Sequence, residues 1–193
     1  MGTRGFIGFV AEEREIIAYN HFDSYPSGVG ADVLRWLRAA MDAPEALRER
    51  VVGLRLVTVE DEKPTDEDIM RLGRFANEQV STGSVYEWYV LLHRTQGNPH
   101  AMLEAGVVED ASMFPQDSLF CEWGYLVDLD AMTFEVYRGW QTRPHRHGRF
   151  ARRKRPRSGP GRSEYYPVAL AASWPLGELP TDEGFLARFG GGG

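Results

Sequence analysis

The run Leu119-Phe120-Cys121-Glu122-Trp123-Gly124-Tyr125-Leu126-Val127-Asp128-Leu129-Asp130 is followed, after Ala131 and Met132, by Thr133-Phe134-Glu135-Val136-Tyr137-Arg138. No other stretch constrains the fold as strongly. Aromatic and β-branched residues lie on both sides of the turn Asp130-Ala131-Met132, the pattern of a β-hairpin. A second β-prone pair, residues 4–10 and 14–19 around Ala11-Glu12-Glu13, predicts an N-terminal hairpin, and residues 165–173 predict a late strand. Between the hairpins the period changes. Val29, Val33, Leu34, Trp36, Leu37, Ala40 and Met41 recur at helical spacing. Pro44 opens a helix to Arg50, and residues 54–59 alternate as a short strand. Thr65 with Asp68 forms a capping signal for a helix over residues 65–80, Ser84 begins another that Gly97 stops, and residues 99–106 form a shorter one. Residues 111–118 read as loop. Thr181 caps a last helix ending near Phe189.

This order predicts an α+β domain in which an antiparallel sheet, built from the N-terminal and C-terminal hairpins, is covered by helices. Regular strand-helix alternation, which a doubly wound fold needs, is missing. At 193 residues with 42% hydrophobic residues and five Trp, residues 1–189 have the material for one core. Residues 190–193 are four glycines that read as a flexible tail.

The single cysteine, Cys121, excludes an internal disulfide framework and fits a reducing, cytoplasmic setting. No apolar run is long enough for a membrane span, no signal-peptide pattern opens the chain, and Phe6 occupies the position at which a myristoylation signal needs Ser or Thr. No cofactor motif is present, and no metal site is expected. His145 and His147 have a ligand-like spacing but lie in an Arg-rich run without a nearby carboxylate or cysteine.

The net charge of −6 conceals a strong asymmetry. Residues 141–163 contain nine Arg or Lys and no acid, so 13 basic residues face 28 acidic ones elsewhere. This segment reads as an exposed basic excursion inserted in the domain. Arg149, Arg152, Arg153, Lys154, Arg155 and Arg157 are its candidate nucleic-acid contacts, acting on phosphates without sequence readout. An acidic protein partner, or the chain's own acidic surface, would satisfy the same charges.

Usable side chains are densest in Tyr19-Asn20-His21-Phe22-Asp23-Ser24-Tyr25-Pro26-Ser27-Gly28-Val29-Gly30. His21 can exchange a proton near neutral pH, and Asp23, on the same face if the strand continues, can orient it. Ser24 and Tyr25 add hydroxyls. Tyr19 and Asn20 flank the histidine, and Gly28 and Gly30 permit close approach of a negatively charged ligand to the amides opening the following helix. The expectation is a small-ligand pocket with His21, Asp23, Ser24 and Tyr25 as candidate catalytic residues and Tyr19, Asn20, Gly28 and Gly30 as ligand contacts. Hydrolysis or group transfer on a small anionic substrate suits that set. The same Pro, Ser and Gly residues would also serve a plain strand-to-helix turn. The phosphate-loop pattern is absent. A further alternative is an N-terminal nucleophile hydrolase, which would need Met1 and Gly2 removed to expose Thr3.

With Thr3-Arg4-Gly5 ahead of it, this loop resembles the N-terminal motif of a group of uncharacterised bacteriophage and bacterial proteins, T-R-[GS] followed by a histidine and D-[GS]-Y-P-x-G-x-G. Glu87-Trp88-Tyr89 and the hairpin from Tyr125 to Tyr137 extend the resemblance over most of the chain outside residues 141–163. It implies a shared fold and a shared loop in a phage- or prophage-type protein, and no particular substrate.

Overall fold

The computed structural model describes residues 2–59, 62–154 and 164–190. Both expected hairpins are present: β1 (Gly5–Ala11) with β2 (Arg14–Asn20), and β5 (Trp123–Asp128) with β6 (Thr133–Arg138). They join with β7 (Ala169–Pro175) into one five-stranded sheet in the order β2-β1-β5-β6-β7. The sheet is mixed, not antiparallel as expected, because β1 runs parallel to β5 with Gly5 opposite Trp123 and Val10 opposite Asp128. The chain leaves β2, crosses most of its length, and returns beside β1 in the same direction. A parallel pair needs such a crossover, and its strands are buried on both faces. All seven residues of β1 are accordingly buried.

Period-2 alternation sends Ile7, Phe9, Tyr125, Val127, Phe134 and Val136 to one face of the sheet and Phe6, Val10, Leu126 and Tyr137 to the other. The first face is covered by α1 (Ala31–Ala40), α2 (Pro44–Val52) and α6 (Asp182–Phe189), which contribute Val33, Leu34, Leu37, Leu47, Val51 and Phe185. The other face is closed by Cys121, Phe150 and Val168. Phe150 thus anchors the basic excursion at one point, while Thr142, Arg143, Pro144, Arg146, His147, Arg152 and Lys154 of the same run are exposed. The Phe150 ring is fully buried against Phe6 and Tyr137, with centroids 5.5 and 4.7 Å away. One aromatic residue in an Arg-rich run is enough to anchor that run when a sheet face is otherwise uncovered. Arg155 and Arg157 lie outside the described residues.

The two hairpin turns are tied together by one side chain. Glu12 and Glu13 both adopt positive φ, the requirement of a two-residue hairpin turn of the primed type. Their amides donate to the Asp130 carboxylate at 3.0 and 2.8 Å, which supplies an anchor where glycine would normally relieve strain. Asp128 holds the second turn by accepting from the amides of Asp130 and Ala131 at 3.0 and 2.7 Å.

A smaller layer sits beside β2. Here β3 (Arg55–Val57) pairs in parallel with β4 (Val107–Glu109), and α3 (Asp66–Leu72), α4 (Trp88–Leu91) and α5 (Pro99–Ala105) pack around them. The capping box of Thr65 and Asp68 forms as read, but the expected helix over 65–80 stops at Leu72 and continues only as a 3-10 turn to Phe75. Gly73 stands at that stop, consistent with the backbone freedom glycine gives up in a helix interior. Likewise the expected helix between Ser84 and Gly97 shrinks to α4 and a 3-10 turn over His93–Thr95. Trp88, Leu91 and Leu92 still reach the local core with Val57, Leu72 and Val107.

Candidate functional site

The loop after β2 is held mainly by its own polar side chains. Asn20 is buried, and its amide donates to the Phe22 carbonyl and to Ser24 Oγ, both at 2.6 Å. Ser24 is buried too, and its carbonyl accepts from the Tyr125 hydroxyl at 2.7 Å. Pro26–Gly30 then form a single π-type turn into α1. A Cβ on Gly30 would sit 2.6 Å from the Tyr125 hydroxyl, and one on Gly28 would sit 2.6 Å from the Asp23 carbonyl oxygen. These glycines are required by close approach inside the protein. Nor are their amides available to an anion: Gly28 and Gly30 donate to the Tyr25 carbonyl at 3.0 and 3.1 Å, and Val29 donates to the Asp23 carbonyl at 2.9 Å.

His21 and Asp23 are not brought together. Asp23 adopts φ of 55° and its side chain turns to solvent, whereas His21 is half-buried and hydrogen-bonded through Nδ1 to the Tyr19 hydroxyl at 2.9 Å. The strand ends at Asn20, so strand alternation no longer governs residue 23. The orienting partner of His21 is thus the preceding tyrosine. The His21 amide donates to Gln96 Oε1 at 3.1 Å, which fixes the loop against the smaller layer.

Behind Tyr19 lies a partly enclosed cavity of about 200 Å³. Ala18 and Tyr19 of β2, Tyr89 of α4, Gln96, Met102 of α5 and Val108 and Glu109 of β4 form most of its wall. On the other side of Gln96, an open cleft of about 420 Å³ is lined by Asn20, Phe22, Asp23, Tyr25, Ser27 and Asp32. Tyr25 also borders a groove of about 480 Å³ with Trp123, Trp140, Arg138 and Phe189. The expected residues are therefore divided: Tyr19 faces the partly enclosed cavity, Asp23 and Tyr25 face open clefts, Asn20 and Gly28 both build the loop and border one of those clefts, and Ser24 and Gly30 build the loop.

Burial raises the Tyr19 phenol above its ordinary range, with the Arg4 charge opposing that shift. Burial likewise raises the Glu109 carboxyl, which forms no hydrogen bond or ion pair among the described residues. His93 is buried. It is 7% exposed, beside Tyr89 and Phe22 with ring centroids 5.4 and 6.0 Å away. Burial lowers its pKa, and the nearby charges of His21 and Arg94 lower it further.

The sequence placed Tyr89 on the apolar face of the helix expected between Ser84 and Gly97 and in the Glu87-Trp88-Tyr89 resemblance, and it drew no attention to Glu109. A three-residue strand has too few positions to display a period, so Val107-Val108-Glu109 carried no signal for β4 or for its last side chain.

Two cations of the basic run are paired with carboxylates on the sheet. Arg149 makes a bidentate contact to Glu135, with Nε to Oε2 and Nη2 to Oε1 both at 3.1 Å, and its Nη2 also pairs with Asp128. Arg153 pairs with Glu15 at 2.6 Å and stacks over Phe150. Arg152 and Lys154 are exposed. His145 Nε2 is hydrogen-bonded to the Pro167 carbonyl at 2.7 Å. Among the described residues no group of three or more His, Cys, Asp or Glu is placed to hold a metal, and no helix is long and apolar enough to cross a membrane.

Comparison of the chain with family models, curated proteins and solved structures returns no match. Fold and site geometry therefore carry the functional argument. The molecule they define is an α+β protein with a mixed five-stranded sheet and a cavity where that sheet meets a smaller layer.

Proposed function

We propose that the protein binds a small ligand in the cavity bounded by Tyr19, Tyr89, Gln96 and Glu109, and that the Tyr19–His21 pair serves hydrolytic or group-transfer chemistry there. The supporting observation is the 2.9 Å hydrogen bond that couples a phenol on the cavity wall to an imidazole just outside it. Such a pair can pass a proton between the enclosed space and solvent, which is what general acid or base work requires. The loop after β2 contributes His21, while β2 itself supplies Tyr19. A cytoplasmic setting belongs to the same proposal, in keeping with the lone buried thiol of Cys121.

The test is a ligand screen read by the methyl resonances of Met102 and Val108, repeated on Tyr19→Phe and His21→Ala variants that keep the native circular dichroism. Tyr19→Phe keeps the ring and removes the coupling, so ligand binding should persist while turnover falls at least tenfold. Unchanged turnover in both variants would sink the acid–base assignment.

A second reading has one observation in its favour. Thr3 is 1% exposed, and its Oγ1 has no hydrogen-bond partner among the described residues. A buried hydroxyl without a partner costs about 1–3 kcal/mol, a strain tolerated where a group has chemical work to do. An N-terminal nucleophile at Thr3 would account for it. Intact mass of the native protein decides the matter: a mature chain beginning upstream of Thr3 removes this reading.

A further inference from the structure

The cavity wall has a composition that narrows its ligand. Tyr19 and Tyr89 present two phenol rings, Glu109 presents a carboxyl group, and Ala18, Met102 and Val108 supply apolar surface. Among the described residues, no Lys or Arg lines it. The nearest cation acting on Tyr19 is Arg4, whose guanidinium is engaged elsewhere, stacked over Phe120 at 5.6 Å. The neighbouring Asp110 already accepts from the amide and hydroxyl of Ser112 at 2.9 and 3.0 Å. Glu109 is different: it has no partner among the described residues and lies on the wall of an enclosed space. Glu109 is half-buried, and a carboxylate partly withdrawn from water gains most from a cation that reaches it. Aromatic faces attract the same kind of guest, since the ring quadrupole favours an ammonium group over its face. A space of about 200 Å³ limits that guest to a few heavy atoms.

We propose that this cavity binds a small organic cation, a primary amine or quaternary ammonium group, between the rings of Tyr19 and Tyr89 and the carboxylate of Glu109. The inference rests on the cavity named above as the ligand site and replaces the anionic ligand expected from the sequence. It gives Glu109 the role of counter-ion, separate from the proton exchange assigned to Tyr19 and His21.

The full-length protein is titrated at pH 8 with tetramethylammonium chloride, with tert-butanol as a neutral probe of similar shape, and with sodium acetate as an anion. The readout is the methyl resonances of Met102 and Val108. Tetramethylammonium should shift them saturably, and the two other probes should leave them in place. Glu109→Gln keeps the side chain's size and should weaken tetramethylammonium at least tenfold. Tyr89→Leu should weaken it several-fold, and Tyr89→Phe should leave it near wild type. Stronger binding of acetate or tert-butanol, or unchanged affinity in Glu109→Gln, overturns the cation assignment and leaves the cavity as a ligand site. No shift with any of the three probes overturns both.

Discussion

Two regions of this molecule bury carboxylates, and they treat them in opposite ways. On the face of the main sheet closed by Phe150, Asp128 and Glu135 are met by Arg149, by the Tyr137 hydroxyl 2.5 Å from Glu135, and by the turn amides of Asp130 and Ala131. At the edge of the smaller layer, Glu109 is half-buried with no partner among the described residues. A buried charge whose lone pairs are all met belongs to the architecture. One left open beside a cavity is a position that a ligand can complete. The difference separates the part of the protein that holds shape from the part that can act.

The sharpest way to break the comparison is Arg149→Ala. It leaves Asp128 and Glu135 buried without their cation, and breaking a buried pair this way costs about 3–5 kcal/mol. Urea unfolding measures it. A loss below about 1 kcal/mol, the level of an exposed pair, would mean the network is ordinary surface electrostatics.

The next test uses pH. Burial raises the folded-state pKa of Glu109 above the ordinary value of 4.5, so the folded protein holds this proton where the unfolded chain releases it. Its stability contribution is therefore complete below 4.5 and is lost as pH rises through the raised value. Urea midpoints measured across that window should fall with rising pH in the wild type and flatten in Glu109→Gln. An identical slope in both would show that Glu109 is solvated like any surface acid.

His93 should tilt the curve the other way. Its pKa is lowered by burial, then by His21 and Arg94, from an ordinary 6.5. The contribution of its neutral form is full above that value and is lost as pH falls through the lowered one. His93→Gln should reduce that acid-side loss, and a proton titration of the His93 ring by NMR should place its pKa below that of an unfolded-chain histidine. Smallest of all are Arg152→Ala and Lys154→Ala. Both side chains are exposed, so each should change stability by no more than about 0.5 kcal/mol, in contrast to Arg149 three residues earlier.

Much of the fold was legible because local chemistry and tertiary demand agree. The C-terminal hairpin is read from its aromatic and β-branched residues and occurs over Thr133–Arg138 as expected, and Thr181 caps α6 by accepting from the Gly184 amide. Asn98 and Gly106, with its φ of 67°, close α5 at either end. In the loop, the turn chemistry of Ser24, Gly28 and Gly30 was visible, but the part of Asn20, read as a ligand contact, in holding Ser24 was not. His21 was legible as a group able to exchange a proton near neutral pH. Its hydrogen-bond partner was not, since an i, i+2 pairing with Asp23 presumes a strand through residue 23, whereas β2 ends at Asn20 and Tyr19 takes that place.

What the sequence determines by itself is the set of elements whose signals are local: two hairpins, the caps, and the apolar stripe of α1. These depend on neighbours within a few positions, and period and capping record them directly. Tertiary structure alone decided that β1 lies parallel to β5, that Phe150 draws a basic run onto an open sheet face, and that Glu109 ends a three-residue strand beside Tyr19 and Tyr89. Each of these joins residues far apart in the chain, and the energy that selects them, burial of apolar surface and the cost of desolvating charge, is defined only once the surrounding elements have packed.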